Sequence, residues 1–268
     1  MTEADDHQEE QKVPFTAHLE ELRNRLVRSF IAIVIGASVA YAFKEKLFDI
    51  LTRPLLAVMP ADGKIIFTGL PEAFFTYLKV SLLAGVFLAA PVVLFEFWMF
   101  VVPGLYKKER RLLAPVIFLS TLFFVGGSLF GYFFVFPVGF KFFLGFSSDT
   151  LQALPSMKEY LGFVSKLLIA FGVVFEMPII ITCMAALGLV STAFLRKNRK
   201  YAVVIFFIVG AILTPPDVVT QILMALPLIV LYEFSIIGAM IFGRKPMEET
   251  EEDDDETDPV PEGAIVKK

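Results

Sequence analysis

The feature that most constrains this chain is the run from Leu112 to Phe140, which contains no charged side chain. About 20 apolar residues are enough for a helix to cross the roughly 30 Å hydrocarbon core of a bilayer. Five further apolar regions approach or exceed this length. Hydrophobic residues make up 56% of the chain, and 30 of its 268 residues are Phe, which is more than one soluble core can bury. The sequence therefore predicts an all-α integral membrane protein embedded in a lipid bilayer.

Six transmembrane helices are predicted from these regions. Their expected bounds are about 26–43, 73–102, 112–140, 160–189, 201–213 and 218–242. Pro215 and Pro216 separate the last two helices, because adjacent prolines lack the backbone donors that a continuous helix needs. Asp217 follows them in a position typical of a helix N-terminus. The fifth helix is then short, since about 13 residues at 1.5 Å each reach only about 20 Å.

The basic residues predict that both termini lie in the cytoplasm. Loops on the cytoplasmic side of a membrane retain an excess of Lys and Arg. With the N-terminus inside, 16 of the Lys and Arg side chains fall in cytoplasmic segments and six in the opposite ones. The acidic ends, 1–13 and 244–268, are predicted to be disordered, and they flank a membrane domain over 14–243. The polar, acidic character of the first residues predicts no cleavable signal peptide.

Three local patterns add to this organisation. Residues 14–25 place Leu side chains on one face and charges on the other, which predicts a short amphipathic helix on the inner surface that runs into the first span. Residues 44–72 contain three prolines and are predicted to form an external loop. Gly127 and Gly131 lie four residues apart, a spacing that favours a close helix contact in a membrane.

Few residues in this sequence are suited to catalysis. The chain has no Walker-type phosphate loop, no His-Glu-x-x-His zinc motif and no Gly-x-Ser-x-Gly nucleophile motif. It contains two His residues and one Cys, too few for a His- and Cys-based metal site. We therefore predict no enzyme activity, no cofactor, no metal and no nucleic-acid partner.

Three glutamates lie inside apolar segments, where an ionisable group is costly. Glu176 is near the middle of the fourth span and is expected to face a cavity, a partner or a proton path. The alternative is a protonated side chain that hydrogen-bonds a neighbouring helix. Glu96 and Glu233 lie nearer the inner face, where reaching toward water is an equal alternative. A proton-coupled small-molecule carrier that uses these glutamates therefore remains an alternative function.

Five motifs together resemble the TatC component of the twin-arginine protein translocase. They are HLEELR from His18, PGLYKKERR from Pro103, FFVFP from Phe133, FGVVFEMP from Phe171 and LTPPD from Leu213. The resemblance implies a glove-shaped, six-span receptor that binds twin-arginine signal peptides and exports folded precursor proteins with the proton-motive force. It also implies TatA-type and TatB-type single-span partners, in a multimeric complex of the prokaryotic inner membrane.

The resemblance also implies roles for single positions. The two family acids that bind the arginine pair correspond to Glu21 and Glu109. An aromatic residue and a proline that shape this site correspond to Phe100 and Pro103, and the family's intramembrane glutamate corresponds to Glu176.

Further positions correspond to contacts with partners and to the scaffold. Thr214 and Gln221 match polar positions where a partner helix docks, and Pro54 matches a proline of structural importance in the first external loop. Glu96 departs from the family pattern, because Gln is common at this position, and it adds an ionisable group to the second span.

Overall fold

The computed structural model describes residues 15–60, 63–101, 113–148, 153–214 and 217–243. Nearly all of this described part is helical, which confirms the all-α class. The helices are α1 (Phe15–Tyr41), α2 (Lys44–Leu56), α3 (Glu72–Val101), α4 (Leu113–Phe130), α5 (Phe136–Leu144), α6 (Met157–Phe175), α7 (Met177–Ala186), α8 (Thr192–Lys197), α9 (Arg199–Leu213) and α10 (Val218–Phe242). A short π-helical segment, Gly131–Val135, joins α4 to α5.

Five helical stretches in the described ranges are long and apolar enough to cross a membrane. They are Leu19–Tyr41, Glu72–Val101, Ala114–Leu144, Met157–Ala186 and Val218–Phe242. Helix α9 is the sixth apolar helix, and its 15 residues reach only about 22 Å. The thickness mismatch expected for a short fifth span therefore persists in the structure, and its neighbours or the local bilayer must accommodate it.

Helix α1 combines two segments that the sequence pattern treats separately. The predicted amphipathic segment and the first span form one helix from Phe15 to Tyr41, without an interruption. No proline or glycine occurs between Phe15 and Ile35 to end the helix. The charged first turns are therefore held in fixed register with the apolar part that packs on α3.

The expected external loop over 44–72 is partly wrong, because helix α2 occupies its first half. Pro54 lies in the last turn of α2 and is buried. A proline inside a helix has no N–H to donate to the carbonyl four residues earlier, which here belongs to Ile50. The Tyr132 hydroxyl donates to this Ile50 carbonyl at 2.6 Å, so another helix supplies the missing hydrogen bond.

The predicted third and fourth spans are both divided in the structure. The third changes to π-helical geometry at Gly131–Val135, and Pro137 follows in the first turn of α5. The fourth is interrupted at Glu176, which separates α6 from α7, and Pro178 stands in the first turn of α7. The proline beside each change explains the division, since each removes one backbone donor from the helix.

Close backbone approaches at glycines set how the helices pack. Gly85 on α3 lies against α1, where an added Cβ would be 2.5 Å from the Ala37 nitrogen. Gly127 on α4 lies against α6, where an added Cβ would be 2.5 Å from the Phe175 ring. The sequence spacing predicts the second contact but not the first. These contacts bring α1 onto α3 and α4 onto α6, and thereby fix the surfaces on which the polar side chains meet.

Candidate functional site

A cluster of carboxylates and guanidinium groups lies where the first turns of α1 meet the last turns of α3. Arg25 donates from Nε to Glu21 Oε1 at 3.0 Å and from Nη1 to Glu96 Oε2 at 3.0 Å. The third Arg25 nitrogen, Nη2, also donates to Glu21 Oε1. Arg28 Nη1 lies 3.6 Å from Glu96 Oε1. We call these four residues the carboxylate cluster.

Burial differs strongly within the carboxylate cluster. The side chains of Glu96 and Arg25 are 8% and 15% exposed, whereas that of Arg28 is 67% exposed. Two carboxylates and two guanidinium groups balance in charge, which offsets the cost of removing Glu96 from water. Of the two alternatives for Glu96, the structure shows the paired one, because arginine side chains of α1 meet its carboxylate inside the packed helices.

An apolar groove with a cavity volume of about 570 Å³ continues from the carboxylate cluster along α1 and α3. Its apolar lining includes Leu26 and Phe30 of α1 and Phe97 of α3, all of which are exposed. Arg25 and Glu96 line the same groove. The arrangement can bind a chain that carries charge at one end and apolar side chains in the following segment.

The structure describes two of the four residues that the resemblance assigns to ligand binding. Glu21 lies on α1 in the carboxylate cluster, and Phe100 lies near the end of α3 and lines the apolar groove. The two are therefore at the same end of the α1–α3 pair, with Arg25 contacting both Glu21 and the groove. Pro103 and Glu109 lie outside the described residues.

Glu176 stands at the break between α6 and α7 and is 5% exposed. The Ser120 hydroxyl of α4 lies beside its carboxyl group and accepts a hydrogen bond from Trp98 Nε1 of α3 at 2.7 Å. Neither carboxyl oxygen of Glu176 makes a hydrogen bond within the described part of the chain. An unpaired buried carboxyl group at this depth is a candidate contact for a ligand or partner.

The residues assigned to partner docking lie where α9 and α10 meet. Thr214 ends α9 and donates from Oγ1 to the Gly210 carbonyl at 2.8 Å. Gln221 of α10 donates from Nε2 to the Phe207 carbonyl at 3.0 Å. Asp217 caps α10 by accepting from the Thr220 backbone N–H at 2.8 Å. Both assigned residues therefore bond within their own chain, and Pro215 and Pro216 lie outside the described residues.

The opposite end of the helix pair holds a polar junction that sequence reasoning missed. Glu72 at the start of α3 accepts at Oε2 from the backbone N–H groups of Thr68 and Gly69, at 2.7 and 3.1 Å. Its Oε1 accepts from the Ser156 hydroxyl at 2.8 Å and from the Lys158 N–H at 2.9 Å. A single glutamate thus joins the segment before α3 to the start of α6.

Glu233, the third glutamate inside an apolar segment, forms an ion pair with Arg199. Arg199 Nη2 donates to Glu233 Oε2 at 2.7 Å, and both side chains are about half exposed, at 49% and 46%. With Glu96 in the carboxylate cluster and Glu233 paired here, the three glutamates do not form one continuous path among the described residues. No group of three or more His, Cys, Asp or Glu side chains suited to a metal occurs among them either.

The chain is similar to known proteins in sequence. The sequence profile of the family described as Sec-independent protein translocase protein (TatC) matches residues 17–227. The protein of that name from Desulforapulum autotrophicum is 68% identical over 244 residues, which are 91% of this chain and 90% of the relative. The one from Magnetococcus marinus is 49% identical over 241 residues, 90% of this chain and 89% of the relative.

A solved structure supports the same grouping. The crystal structure of a twin arginine translocase receptor, TatC, matches with a TM-score of 0.75 at 43% sequence identity. The match covers 85% of this chain and 100% of the solved chain. The six-span, glove-shaped bundle expected from the sequence motifs agrees with this structural likeness.

Proposed function

Because the chain belongs to the TatC family of Sec-independent protein translocase proteins, we propose that it is the translocase subunit that receives twin-arginine signal peptides. The observation that carries the proposal is the carboxylate cluster at the mouth of the apolar groove. A signal peptide of this class places two arginines before an apolar segment, and the groove offers carboxylates before an apolar lining. The family is one of transport receptors, in agreement with the expectation that the chain is not an enzyme.

Glu21 is the described carboxylate that we assign to the first ligand arginine. A carboxylate can accept two parallel hydrogen bonds from a planar guanidinium group, which a lysine ammonium cannot reproduce. Glu109 is proposed to receive the second arginine, with Phe100 and Pro103 shaping the site. The support for Glu109 and Pro103 is the family motif, and the support for Glu21 and Phe100 is also their common position at one end of α1 and α3.

The membrane arrangement follows from the same proposal. Both termini lie in the cytoplasm of a prokaryote, so that the carboxylate cluster faces the compartment in which folded precursors arrive. The bias of basic residues toward the same side supports this orientation. The proton-motive force is the proposed energy source, and the support for it is the resemblance to the TatC family.

Small single-span subunits of the TatA and TatB types are the proposed partners in a multimeric complex. We infer that their docking surface lies at α9 and α10, beside Thr214 and Gln221. The short α9 supports this position, because association with a partner helix is one way to accommodate a span that is shorter than the bilayer. Glu176 is proposed to contact the inserted peptide or a partner, which its unpaired buried oxygens support.

The carrier alternative finds no support in the structure or the family. Two of the three glutamates that it needs, Glu96 and Glu233, are held in ion pairs with Arg25 and Arg199. A proton relay requires groups that exchange protons along one path, and these ion pairs lie on different helix pairs.

Photo-crosslinking of a twin-arginine signal peptide to membranes that contain the full chain tests the proposal. Glu21→Ala and Glu109→Ala are each expected to reduce the crosslinked product by about tenfold or more, since a hydrogen-bonded charge pair contributes about 1.5–3 kcal/mol. Glu20→Ala is the matched control, because Glu20 is the neighbouring exposed acid on α1. Undiminished crosslinking in both variants would remove the site assignment.

A further inference from the structure

Arg25 holds the carboxylate that the proposed function assigns to the ligand. Three of its N–H donors are directed at two carboxylates, two at Glu21 Oε1 and one at Glu96 Oε2. The Arg25 side chain is 15% exposed, so it is packed between the helices rather than extended into solvent. A guanidinium group of the protein itself therefore stands where a guanidinium group of the ligand would bind.

We propose that Arg25 is an internal competitor of the ligand arginine and that Glu96 receives Arg25 when the ligand displaces it. The inference rests on the proposed function, because it takes Glu21 as the ligand carboxylate. Bidentate capture of a ligand guanidinium uses both oxygens of Glu21, one of which Arg25 occupies. Binding is then an exchange of one guanidinium for another at Glu21.

Glu96 makes this exchange possible at low cost. Arg25 Nη1 already bonds Glu96 Oε2 at 3.0 Å, so Arg25 keeps an anionic partner after it releases Glu21. The other neighbour of Glu96, Arg28, is 3.6 Å away and mostly exposed, which leaves Arg25 as the closer partner. Without the Glu96 charge, Arg25 would depend on Glu21 alone among the described acids of the cluster and would release it less readily.

The exchange predicts that Arg25 weakens an arginine ligand and a lysine ligand by the same factor. Either cation must displace Arg25 from Glu21, and the cost of that displacement does not depend on which ligand follows. The geometric advantage of an incoming guanidinium group over an ammonium group is a separate property of the Glu21 carboxylate. Arg25 is an internal competitor in this proposal, and Glu96 is a positioning residue that acts through it.

The test measures the dissociation constants of two fluorescent peptides with the full chain in lipid nanodiscs. The peptides share one signal sequence and differ only in an Arg-Arg or a Lys-Lys pair. Arg25→Gln is expected to lower the Kd of both peptides by about tenfold and to leave their ratio unchanged, because the competitor is removed for either ligand. Glu96→Gln is expected to raise the Kd of the Arg-Arg peptide by about tenfold.

The double variant separates exchange from a merely structural role of Glu96. When Arg25 is absent, there is no displaced guanidinium group for Glu96 to bind. Adding Glu96→Gln to Arg25→Gln is therefore expected to change the Kd of the Arg-Arg peptide by less than about twofold. Arg53→Gln is the control, because Arg53 is an exposed arginine on α2 outside the carboxylate cluster, and it is expected to leave both dissociation constants unchanged. Arg25→Lys keeps the charge but loses the planar geometry of the guanidinium group. It replaces Arg25→Gln if that variant does not fold, and it should lower the Kd of both peptides by a smaller factor.

Unchanged dissociation constants of both peptides in folded Arg25 variants would overturn the inference. An equal effect of Glu96→Gln with and without Arg25 would overturn the role of Glu96. Glu21→Gln in the same assay tests the proposed function independently. If Glu21→Gln does not weaken the Arg-Arg peptide, the receptor site is wrongly assigned. If it does, and the Arg25 variants leave the Kd of both peptides unchanged, only the competitor role of Arg25 fails.

Discussion

Glu96 and Glu176 are both buried glutamates on apolar helices, yet the molecule treats them in opposite ways. Glu96 meets two arginines from α1, whereas Glu176 makes no hydrogen bond among the described residues and stands at a helix break. A buried carboxyl group that is fully paired stabilises the contact between its helices. One that is left unpaired costs stability and persists where it serves a partner or a ligand. Glu96 therefore belongs to a preformed cluster of charged side chains, whereas Glu176 is a buried polar group without a hydrogen-bond partner among the described residues.

The largest expected effect comes from breaking the helix contact that places Glu96 opposite Arg25. Gly85→Ala would put a Cβ atom 2.5 Å from the Ala37 backbone nitrogen, so α1 and α3 must separate. We expect a loss of about 3 kcal/mol in unfolding free energy. Thermal unfolding of the purified chain, followed by the fluorescence of its single tryptophan, Trp98, measures the change.

Gly126→Ala is the matched control for this prediction. Gly126 is also helical, but nothing lies within 4 Å of a Cβ added there. It should leave the melting temperature unchanged or slightly raised, because alanine favours a helix over glycine. Equal stability of the Gly85 and Gly126 variants would show that the α1–α3 contact does not depend on close approach.

An intermediate effect is expected from removing the charge of each buried glutamate without changing its shape. Glu96→Gln should lower the unfolding free energy by about 1.5 kcal/mol, since it weakens the hydrogen bonds from Arg25. Glu176→Gln should change it by less than about 0.5 kcal/mol, because no hydrogen bond of the described chain is lost. Unfolding of both variants under identical conditions measures the difference.

Export assays sharpen the same comparison in functional terms. Glu176→Gln is expected to retain most transport and Glu176→Ala to impair it, because the proposed contact needs a hydrogen-bonding group rather than a charge. If Gln were as damaging as Ala, the charge of Glu176 would be required for the contact.

A small effect is also expected at the exposed ion pair between Arg199 and Glu233. Its N–O distance of 2.7 Å is shorter than the 3.0 Å between Arg25 and Glu96, yet both of its side chains are about half exposed. Solvent screens such a pair, so Glu233→Gln should cost less than about 1 kcal/mol. A cost equal to that of Glu96→Gln would mean that distance matters more than burial here.

The sequence predicts the elements that depend on local patterns. Apolar runs predict the spans, and Gly127 predicts the close approach of α4 to α6. The sequence pattern does not predict helix α2, because a proline such as Pro54 is typical of a loop. Pro54 fits inside α2 because the Tyr132 hydroxyl, from a distant part of the chain, donates to the carbonyl oxygen that Pro54 cannot hydrogen-bond.

The carboxylate cluster could be predicted only in part. The family motif points to Glu21, but the partner of Glu96 is Arg25, 71 residues away. One sequence holds no sign of which arginine faces which glutamate across two helices. The role of Gly85 is not predictable from the sequence for the same reason, because the residue that it contacts closely, Ala37, lies on another helix.

The junction at Glu72 has a consequence for the order in which the protein is made. Its carboxyl group joins Thr68 and Gly69 to Ser156 and Lys158, and Ser156 is 84 residues further along the chain. At a synthesis rate of about 5–20 residues per second, that distance corresponds to roughly 4–17 seconds. During this interval α1 and α3 can already pair in the membrane, but the hydrogen bonds of Glu72 at the start of α3 are completed only when the start of α6 has been synthesised. The structure of the α1–α3 pair is thus complete only after the fourth span has begun to form.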